Sequence, residues 1–323
     1  MKNVFVLGGT GLLGYHTVME LLGRGYEVST IALPPMPSED ILPAKVNCRL
    51  GNINEMSDEE VLKLFEGMDM FVYAAGVDER VVPDAPADAF FYRENVLPTQ
   101  RIARLARKAG IKRFVIFGSY FAHFAEQWTD LPLMEQSYPR TRILQEEVAI
   151  MEGSGVMDVM ILRLPYIFGT MPGRKPLWEM FLPQIQGNEF VPVLGGGSAM
   201  ITVKQVAEAA IGALEHGEHG GTYAISGTNM KHKAFFEIIA EVLGQKNTVV
   251  QVVDLEQMKP GYIQGDEQAA KEGKEHGIHL ELTAEIQNRD AYLDPADTMP
   301  ILQYNEDDIH AAIVESIKAC LKL

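Results

Sequence analysis

The strongest constraint on the fold is a regular alternation of short apolar runs with amphipathic segments through the first half of the chain. Apolar, β-branched-rich runs predict strands at residues 4–7, 28–33, 46–50, 70–75 and 158–164, with another strand after the turn at residues 109–112. Helical spacing predicts helices at residues 12–22, 57–65, 89–108 and 138–152. Strands that alternate with helices in this way predict an α/β fold, in which a Rossmann-like, doubly wound parallel sheet is covered by helices on both faces.

The pattern changes after Gly169. Helices are predicted near residues 177–186, 203–215, 235–243 and 306–321, mixed with short strands at 222–225 and 248–253. We therefore predict a dinucleotide-binding domain at residues 1–168 and a smaller α/β substrate lobe at residues 169–323, with some exchange of segments between them. The polar, glycine-containing segment 265–279 is predicted to be a mobile surface stretch.

A glycine-rich turn joins the first predicted strand to the first predicted helix. Its sequence GGTGLLG spaces Gly8, Gly11 and Gly14 three residues apart. Glycines permit a tight turn and a close approach of the backbone to a pyrophosphate, and the helix N-terminus offers free amides to that anion. Because the triplet lies where a strand leads into a helix, it predicts a dinucleotide site more strongly than a bare structural turn.

A tyrosine and an arginine begin the helix predicted at residues 138–152. Tyr138 and Arg142 are four residues apart and therefore share one helix face. A fixed positive charge favours the phenolate form of a neighbouring tyrosine, so this pair is a candidate for proton transfer. An aromatic and an arginine that merely begin a helix remain the structural alternative.

Composition and charge exclude several classes of partner. The formal net charge of −16 argues against a nucleic-acid backbone or an anionic membrane as the main partner, and no apolar run is long enough to span a bilayer.

Cys48 and Cys320 match no metal or redox spacing, which favours reduced thiols in a cytoplasmic protein. The N-terminus is interpreted as the first strand, not as a signal peptide. The pairs His216/His219 and His276/His279 offer no third ligand at a fixed spacing, so no metal site is predicted.

Several motifs together resemble the extended short-chain dehydrogenase/reductase family, also called the NAD-dependent epimerase/dehydratase family. Besides the glycine turn, these are GNI at residues 51–53, AAG at 74–76, Asn95 in its helix, LRLPYIFG at 162–169 and Tyr138 in the position of the tyrosine of YxxxK. The resemblance extends over nearly the whole chain. It implies a nicotinamide dinucleotide cofactor and hydride transfer.

The resemblance also implies individual residues of the site. Tyr138 would be the catalytic acid/base, Ser119 would hydrogen-bond the substrate oxygen, and Arg142 would assist Tyr138. Glu146 occupies the acidic position that the family usually has after the tyrosine. The cofactor-binding residues that it implies are Gly8, Thr10, Gly11, Leu12, Leu13, Gly14, Asn52, Ile53, Ala74, Ala75, Gly76, Asn95, Tyr138, Arg142 and Pro165. Family members often pair through two helices, which implies a homodimer formed by the helices at 89–108 and 138–152.

Three positions depart from the family pattern. Arg142 stands where the family has lysine, and its planar fork differs from a compact ammonium. Ala32 and Leu33 stand where NAD-binding members carry an acid and NADP-binding members an arginine, which leaves NADP or NAD as the cofactor with a slight preference for NADP. Ser198 stands about where nucleotide-sugar enzymes carry a pyrophosphate-binding arginine, which lowers the expectation of a nucleotide sugar.

We therefore expect an NAD(P)-dependent oxidoreductase or epimerase/dehydratase-like enzyme acting on a small carbonyl or alcohol. The alternative is a catalytically impaired dinucleotide-binding sensor or scaffold. Other residues keep two interpretations each. The aromatic residues Phe121, Phe124 and Trp128 suit either a substrate wall or packing. His123 suits either the substrate mouth or the surface, and Arg174 and Lys175 suit either an anionic substrate or solvation.

Overall fold

The structure, a computed structural model, describes residues 2–38 and 40–321. Its strands are β1 Asn3–Leu7, β2 Glu27–Ala32, β3 Asn47–Leu50, β4 Met70–Tyr73, β5 Arg113–Ser119, β6 Asp158–Leu164, β7 Tyr166–Phe168, β8 Phe190–Val193, β9 Gly197–Thr202, β10 Thr222–Ala224, β11 Thr228–Lys231, β12 Val249–Val252 and β13 Asp290–Ala291. Its α-helices are α1 Leu12–Gly23, α2 Asp58–Leu64, α3 Ala87–Phe91, α4 Leu97–Ala109, α5 Tyr120–Gln127, α6 Ser137–Gly153, α7 Leu182–Ile185, α8 Val203–His216, α9 His232–Val242, α10 Leu255–Lys271, α11 Leu280–Gln287, α12 Met299–Leu302 and α13 Ile309–Cys320. None of these helices is long and apolar enough to cross a membrane.

The main sheet has seven strands in the order β10-β6-β5-β4-β1-β2-β3. Every neighbouring pair in this sheet is parallel. The order reverses between β1 and β4, so the connections leaving these two strands diverge and open a crevice at their carboxyl ends. The predicted Rossmann-like α/β fold is confirmed.

Helices cover both faces of this sheet. One face packs against α1 and α8 around a core that includes Val4, Val6 and Ile211. The opposite face packs against α2, α4 and α6 around aromatic side chains that include Phe65 and Phe71. Because the central strands β1 and β4 are buried on both faces, their sequences are nearly continuous apolar runs with no alternation.

The chain after residue 168 contributes to both lobes. Strand β10 extends the main sheet beside β6, and α8 packs on α1. The remaining segments form a mixed sheet in which β9 pairs with β7, β11 and β13, and a separate pair of β8 with β12. A second core around Phe168, Trp178 and Phe235 supports this smaller lobe.

The prediction of a mobile stretch at residues 265–279 is wrong for its first part. Residues 265–271 continue helix α10, and Asp266 accepts hydrogen bonds from the backbone amides of Leu280 and Glu281. Gly265 lies at a close crossing of two helices, because a Cβ there would lie 2.5 Å from Leu280 Cδ1. The glycine therefore allows α11 to approach and does not break the helix.

Candidate active site

A cleft of about 520 Å³ opens at the carboxyl ends of β1, β4 and β5, where the strand order reverses. Its walls come from both halves of the chain. The second half contributes Arg174, Leu177, Trp178, Met180 and Phe181. The first half contributes the predicted residues Gly11, Leu12, Leu13, Gly14, Ala74, Ala75, Gly76, Ser119, Tyr138, Arg142 and Pro165. Most of the residues predicted to bind cofactor or to react are thus brought together in one place.

The three glycines of the turn differ in their surroundings. Gly8 has a φ of +89°, a conformation that favours glycine. A Cβ at Gly14 would lie 2.1 Å from the carbonyl oxygen of Gly8, so this glycine is required for close packing of α1 on the strand turn. A Cβ at Gly11 would meet only that same oxygen, at 3.3 Å, and otherwise faces the cleft.

The N-terminus of α1 fits an anionic group. Gly11 is its N-cap and has no side chain to satisfy the first helical amides, and Leu12 and Leu13 line the cleft. Uncapped amides and the positive end of the helix dipole are the features that bind phosphate groups. The absence of a side chain at Gly11 leaves the space in front of these amides open.

Tyr138 and Arg142 contact one another inside the cleft. Helix α6 brings them to one face, and Arg142 Nη1 donates to the Tyr138 hydroxyl at 3.4 Å. A second nitrogen, Nη2, donates to the carbonyl oxygen of Phe117 at 2.5 Å, which fixes the guanidinium at the end of β5. Arg142 is only 5% exposed, and its Nε donates to no residue of the described chain. Buried polar groups in proteins are normally hydrogen-bonded, so a donor without a partner beside this cleft fits a polar ligand group there.

The surroundings of Tyr138 act on its pKa in opposite directions. Burial is the largest influence and raises the pKa, the positive charge of Arg142 lowers it, and the charge of Glu79 raises it again. The nearby Ser119 hydroxyl acts in the same direction as Arg142 and lowers the pKa. The result is a Tyr138 pKa of about 12. Arg142 lowers the pKa, as the sequence analysis expects, but burial raises it by more.

The sequence analysis missed an acidic segment in the wall of the cleft, formed by Asp78, Glu79 and Arg80. Arg80 Nε donates to Asp78 at 3.0 Å, and the two side chains form an ion pair. Burial and the neighbouring Asp78 raise the pKa of the Glu79 carboxyl. The segment follows AAG in a loop without helical or strand periodicity, so the spacing of its charges does not indicate that Glu79 lies near Tyr138.

Aromatic residues form the rest of the cleft. Tyr120 and Tyr166 have ring centroids 6.2 Å apart, and Trp178 lies 5.1 Å from Tyr166. Phe121 contacts the Tyr138 ring edge-on, with a centroid distance of 6.1 Å. Of the predicted aromatic group, only Phe121 lines the cleft, since Phe124 and Trp128 pack against each other, 4.4 Å apart. His123 does not line the cleft and packs edge-on against Phe124.

Five predicted cofactor residues lie outside the lining of the cleft: Gly8, Thr10, Asn52, Ile53 and Asn95. Asn95 holds the Asp78 segment, since its side chain accepts from Val77 N and donates to Val77 O. Asn52 caps the 3₁₀ turn after β3, and Ile53 is buried in the core. Thr10 is buried within the glycine turn. These residues shape the neighbourhood of the cleft, and their contact with a cofactor stays a prediction.

Glu146 and the histidines have partners away from the cleft. Arg163 Nη2 lies 2.6 Å from Glu146 and its Nη1 lies 2.6 Å from Glu126, which makes a mostly buried three-residue ion-pair network. His219 Nδ1 accepts from Val159 N. Within residues 2–38 and 40–321, no group of three His, Cys, Asp or Glu side chains is arranged to hold a metal.

Known proteins share both the sequence pattern and the architecture of this chain. It is 26% identical to the 4-hydroxy-2-methyl-3-oxo-4-farnesyl-3,4-dihydroquinoline-1-oxide ketoreductase of Stigmatella aurantiaca, over 76% of this chain and 75% of that protein. It is 23% identical to the decarboxylating sterol-4-alpha-carboxylate 3-dehydrogenase of Dictyostelium discoideum, over 73% and 75%.

Two solved structures align over almost their full length. The crystal structure of gox2253 has a TM-score of 0.78 at 18% identity, covering 99% of this chain and 98% of the other. MoeE5 in complex with UDP-glucose and NAD has a TM-score of 0.70 at 19% identity, covering 99% of each chain. The model of the NAD dependent epimerase/dehydratase family matches residues 4–226. The resemblance found in the sequence is therefore confirmed, and the chain belongs to the NAD-dependent epimerase/dehydratase family.

Proposed function

We propose that the chain is an NAD(P)-dependent oxidoreductase that interconverts a carbonyl group and a secondary alcohol on a small, largely apolar substrate. The observation that carries this proposal is the Tyr138 hydroxyl, which lies 3.4 Å from Arg142 Nη1 in the cleft that begins at the glycine turn. A proton-exchanging group beside a dinucleotide site is the arrangement that hydride-transfer chemistry needs.

Each polar group of the cleft has a separate task in this proposal. A bound nicotinamide dinucleotide supplies or accepts the hydride. Tyr138 donates a proton to the substrate oxygen during reduction and removes it during oxidation. Ser119, at the end of β5, hydrogen-bonds the same oxygen and positions it. Arg142 stabilises the phenolate that remains after proton donation, because its guanidinium is fixed against Phe117.

The composition of the wall favours an apolar substrate over a nucleotide sugar. Tyr120, Tyr166, Trp178 and Phe181 supply aromatic surface. Ser198, which replaces the nucleotide-sugar arginine, is buried and donates to the Tyr120 hydroxyl at 3.3 Å. The ketoreductase of Stigmatella is named for a farnesyl dihydroquinoline-oxide and the dehydrogenase of Dictyostelium for a sterol carboxylate, which supports a fused-ring substrate for this chain.

We also propose how the two halves divide the work, and which cofactor is used. Residues 1–168 would hold the dinucleotide and residues 169–323 the substrate. The family and the NAD complex of MoeE5 support NAD as a cofactor. The absence of an acid at Ala32 and Leu33 removes a repulsion with a 2′-phosphate, which supports a slight preference for NADP.

A homodimer and a cytoplasmic location complete the proposal. Helices α4 and α6 pack side by side, which is the arrangement that a four-helix interface between two copies would require. A monomeric mass by light scattering at micromolar concentration would count against the dimer. The two free thiols, Cys48 and Cys320, suit a reducing compartment.

Turnover tests the proposal directly. The purified protein is assayed with NADH and NADPH against cyclic ketones, steroid-like ketones and quinolones, with UDP-glucose as the contrasting substrate. We expect oxidation of the reduced cofactor with an apolar ketone, and a loss of about 10²–10⁴ in rate for Tyr138→Phe with nearly unchanged cofactor affinity. Full activity in Tyr138→Phe would refute the catalytic assignment. Cofactor binding without turnover across the whole panel would favour the sensor or scaffold alternative.

A further inference from the structure

The loop that follows β7, residues 169–176, contributes Arg174 to the wall of the cleft and contacts two other segments of the chain. His16 on α1 contacts the carbonyl oxygen of Thr170 at 2.9 Å through its Nε2. A Cβ at Gly173 would lie 2.4 Å from the carbonyl oxygen of Pro37, which places this loop in close contact with the β2–β3 connection. The loop therefore packs on both α1 and the β2–β3 connection.

A tight turn fixes the direction of this loop. Gly173 has a φ of +74°, and Met171 and Arg174 pair across the turn in an isolated antiparallel bridge. Gly169 is held to α13, since its amide donates to Ser316 Oγ at 2.9 Å. Arg174 is exposed, and it lines the same cleft as Gly11, Leu12 and Leu13. An arginine thus shares the cleft with the uncapped amides of α1.

Lys175, the next residue along the chain, differs from Arg174 in its position relative to the cleft and in its ion pairing. It does not line the cleft, and its Nζ lies 3.0 Å from Glu179 Oε1, one helical turn away. The charge of Lys175 is therefore compensated within its own segment. Of two adjacent cations in one loop, only Arg174 is directed to the cleft.

We infer that Arg174 binds a phosphate group of the dinucleotide from the side opposite the glycine turn. Guanidinium groups bind phosphate oxygens in a bidentate manner, and the uncapped amides of α1 would hold the same anion. The buried, unused Nε of Arg142 in this cleft is a separate indication that a polar ligand belongs there. The inference rests on the proposed function, because it requires that the cleft take a dinucleotide.

The test compares the affinities of NADH and NADPH for the wild type, Arg174→Ala, Arg174→Gln and Lys175→Ala by calorimetry. We expect Arg174→Ala and Arg174→Gln to bind about 10- to 100-fold more weakly, because a charge-assisted hydrogen bond is lost. Lys175→Ala, which removes the same charge from the same loop, should bind nearly as the wild type does. Thermal unfolding should be unchanged in all three variants, since both side chains are at the surface.

The outcomes show which phosphate group Arg174 binds. They also distinguish failure of this inference from failure of the proposed function. Equal weakening for NADH and NADPH assigns Arg174 to the diphosphate, whereas weakening for NADPH alone assigns it to the 2′-phosphate. Wild-type affinity for both cofactors in Arg174→Ala overturns the inference, and so does an equal loss in Lys175→Ala. If the wild type itself binds neither cofactor, the proposed function fails. If the wild type binds a cofactor and Arg174→Ala binds it equally well, only the inference about Arg174 fails.

Discussion

Replacing Gly11 with leucine should abolish dinucleotide binding and leave the fold nearly intact. Gly11 has φ −83° and ψ 166°, which is extended backbone that any residue adopts. Among the residues that the structure describes, the one close neighbour of an added Cβ is the Gly8 carbonyl oxygen at 3.3 Å, which needs a shift of a few tenths of an ångström. With a less suitable residue at the N-cap, we expect a loss of about 1 kcal/mol in the free energy of unfolding.

The effect on binding should be much larger, because the leucine side chain would stand in front of the free amides of α1. Hydrogen bonds to a charged group are worth about 1.5–3 kcal/mol each. Loss of two such bonds therefore weakens binding by about 3–6 kcal/mol, or by about 10²- to 10⁴-fold. Calorimetric titration with NADH and NADPH measures this change, and thermal unfolding measures the accompanying change in stability.

Gly14→Ala is the matched control in the same turn. Its Cβ would lie 2.1 Å from the Gly8 carbonyl oxygen and 2.9 Å from Gly9 Cα, and neither backbone atom can move without separating α1 from the strand turn. We expect Gly14→Ala to be strongly destabilised, in contrast to Gly11→Leu. Unchanged cofactor affinity in a folded Gly11→Leu protein would refute the assignment of the phosphate site to this turn.

Three further perturbations test separate parts of the site. Arg142→Lys should retain turnover or increase it, since it restores a compact cation beside Tyr138; loss of turnover with intact cofactor binding would show that the guanidinium contact with Phe117 is required. Glu79→Gln removes a charge that raises the pKa of Tyr138, so the rise of kcat/KM with pH in alcohol oxidation should move to lower pH, and an unmoved profile would exclude this coupling. Arg163→Met should lower the free energy of unfolding by about 3–5 kcal/mol in urea denaturation, because it leaves Glu146 buried without its partner; a smaller effect would mean that Glu146 is accommodated as a neutral acid.

The parts of the site that could be predicted from sequence are those held by local backbone geometry. The glycine turn has a fixed spacing because Gly8 needs a positive φ and Gly14 needs room for the helix. The pairing of Tyr138 with Arg142 follows from the four-residue spacing on one helix face. Neither requires knowledge of distant segments, so a linear pattern is sufficient to identify both.

The parts that could not be predicted depend on tertiary contacts between distant segments. Glu79 comes near Tyr138 because Asn95 holds the backbone of Val77 from another helix. Arg174 reaches the cleft because its loop packs on Pro37 and His16, which lie far away in the sequence. The prediction of mobility from residue 265 onwards fails for the same reason, since Gly265 makes room for the Leu280 side chain of α11. No periodicity in the sequence indicates these contacts between distant segments.

The charges around Tyr138 also bear on the direction of the reaction. Burial and Glu79 together outweigh Arg142 and Ser119, and the pKa of Tyr138 is raised to about 12. A tyrosine with that pKa is protonated at neutral pH, so it is ready to donate a proton to a carbonyl oxygen. Oxidation of an alcohol needs the phenolate instead, which becomes populated only as the pH rises towards that pKa. The cleft is therefore better prepared for carbonyl reduction at neutral pH, and the oxidative direction gains as the pH increases.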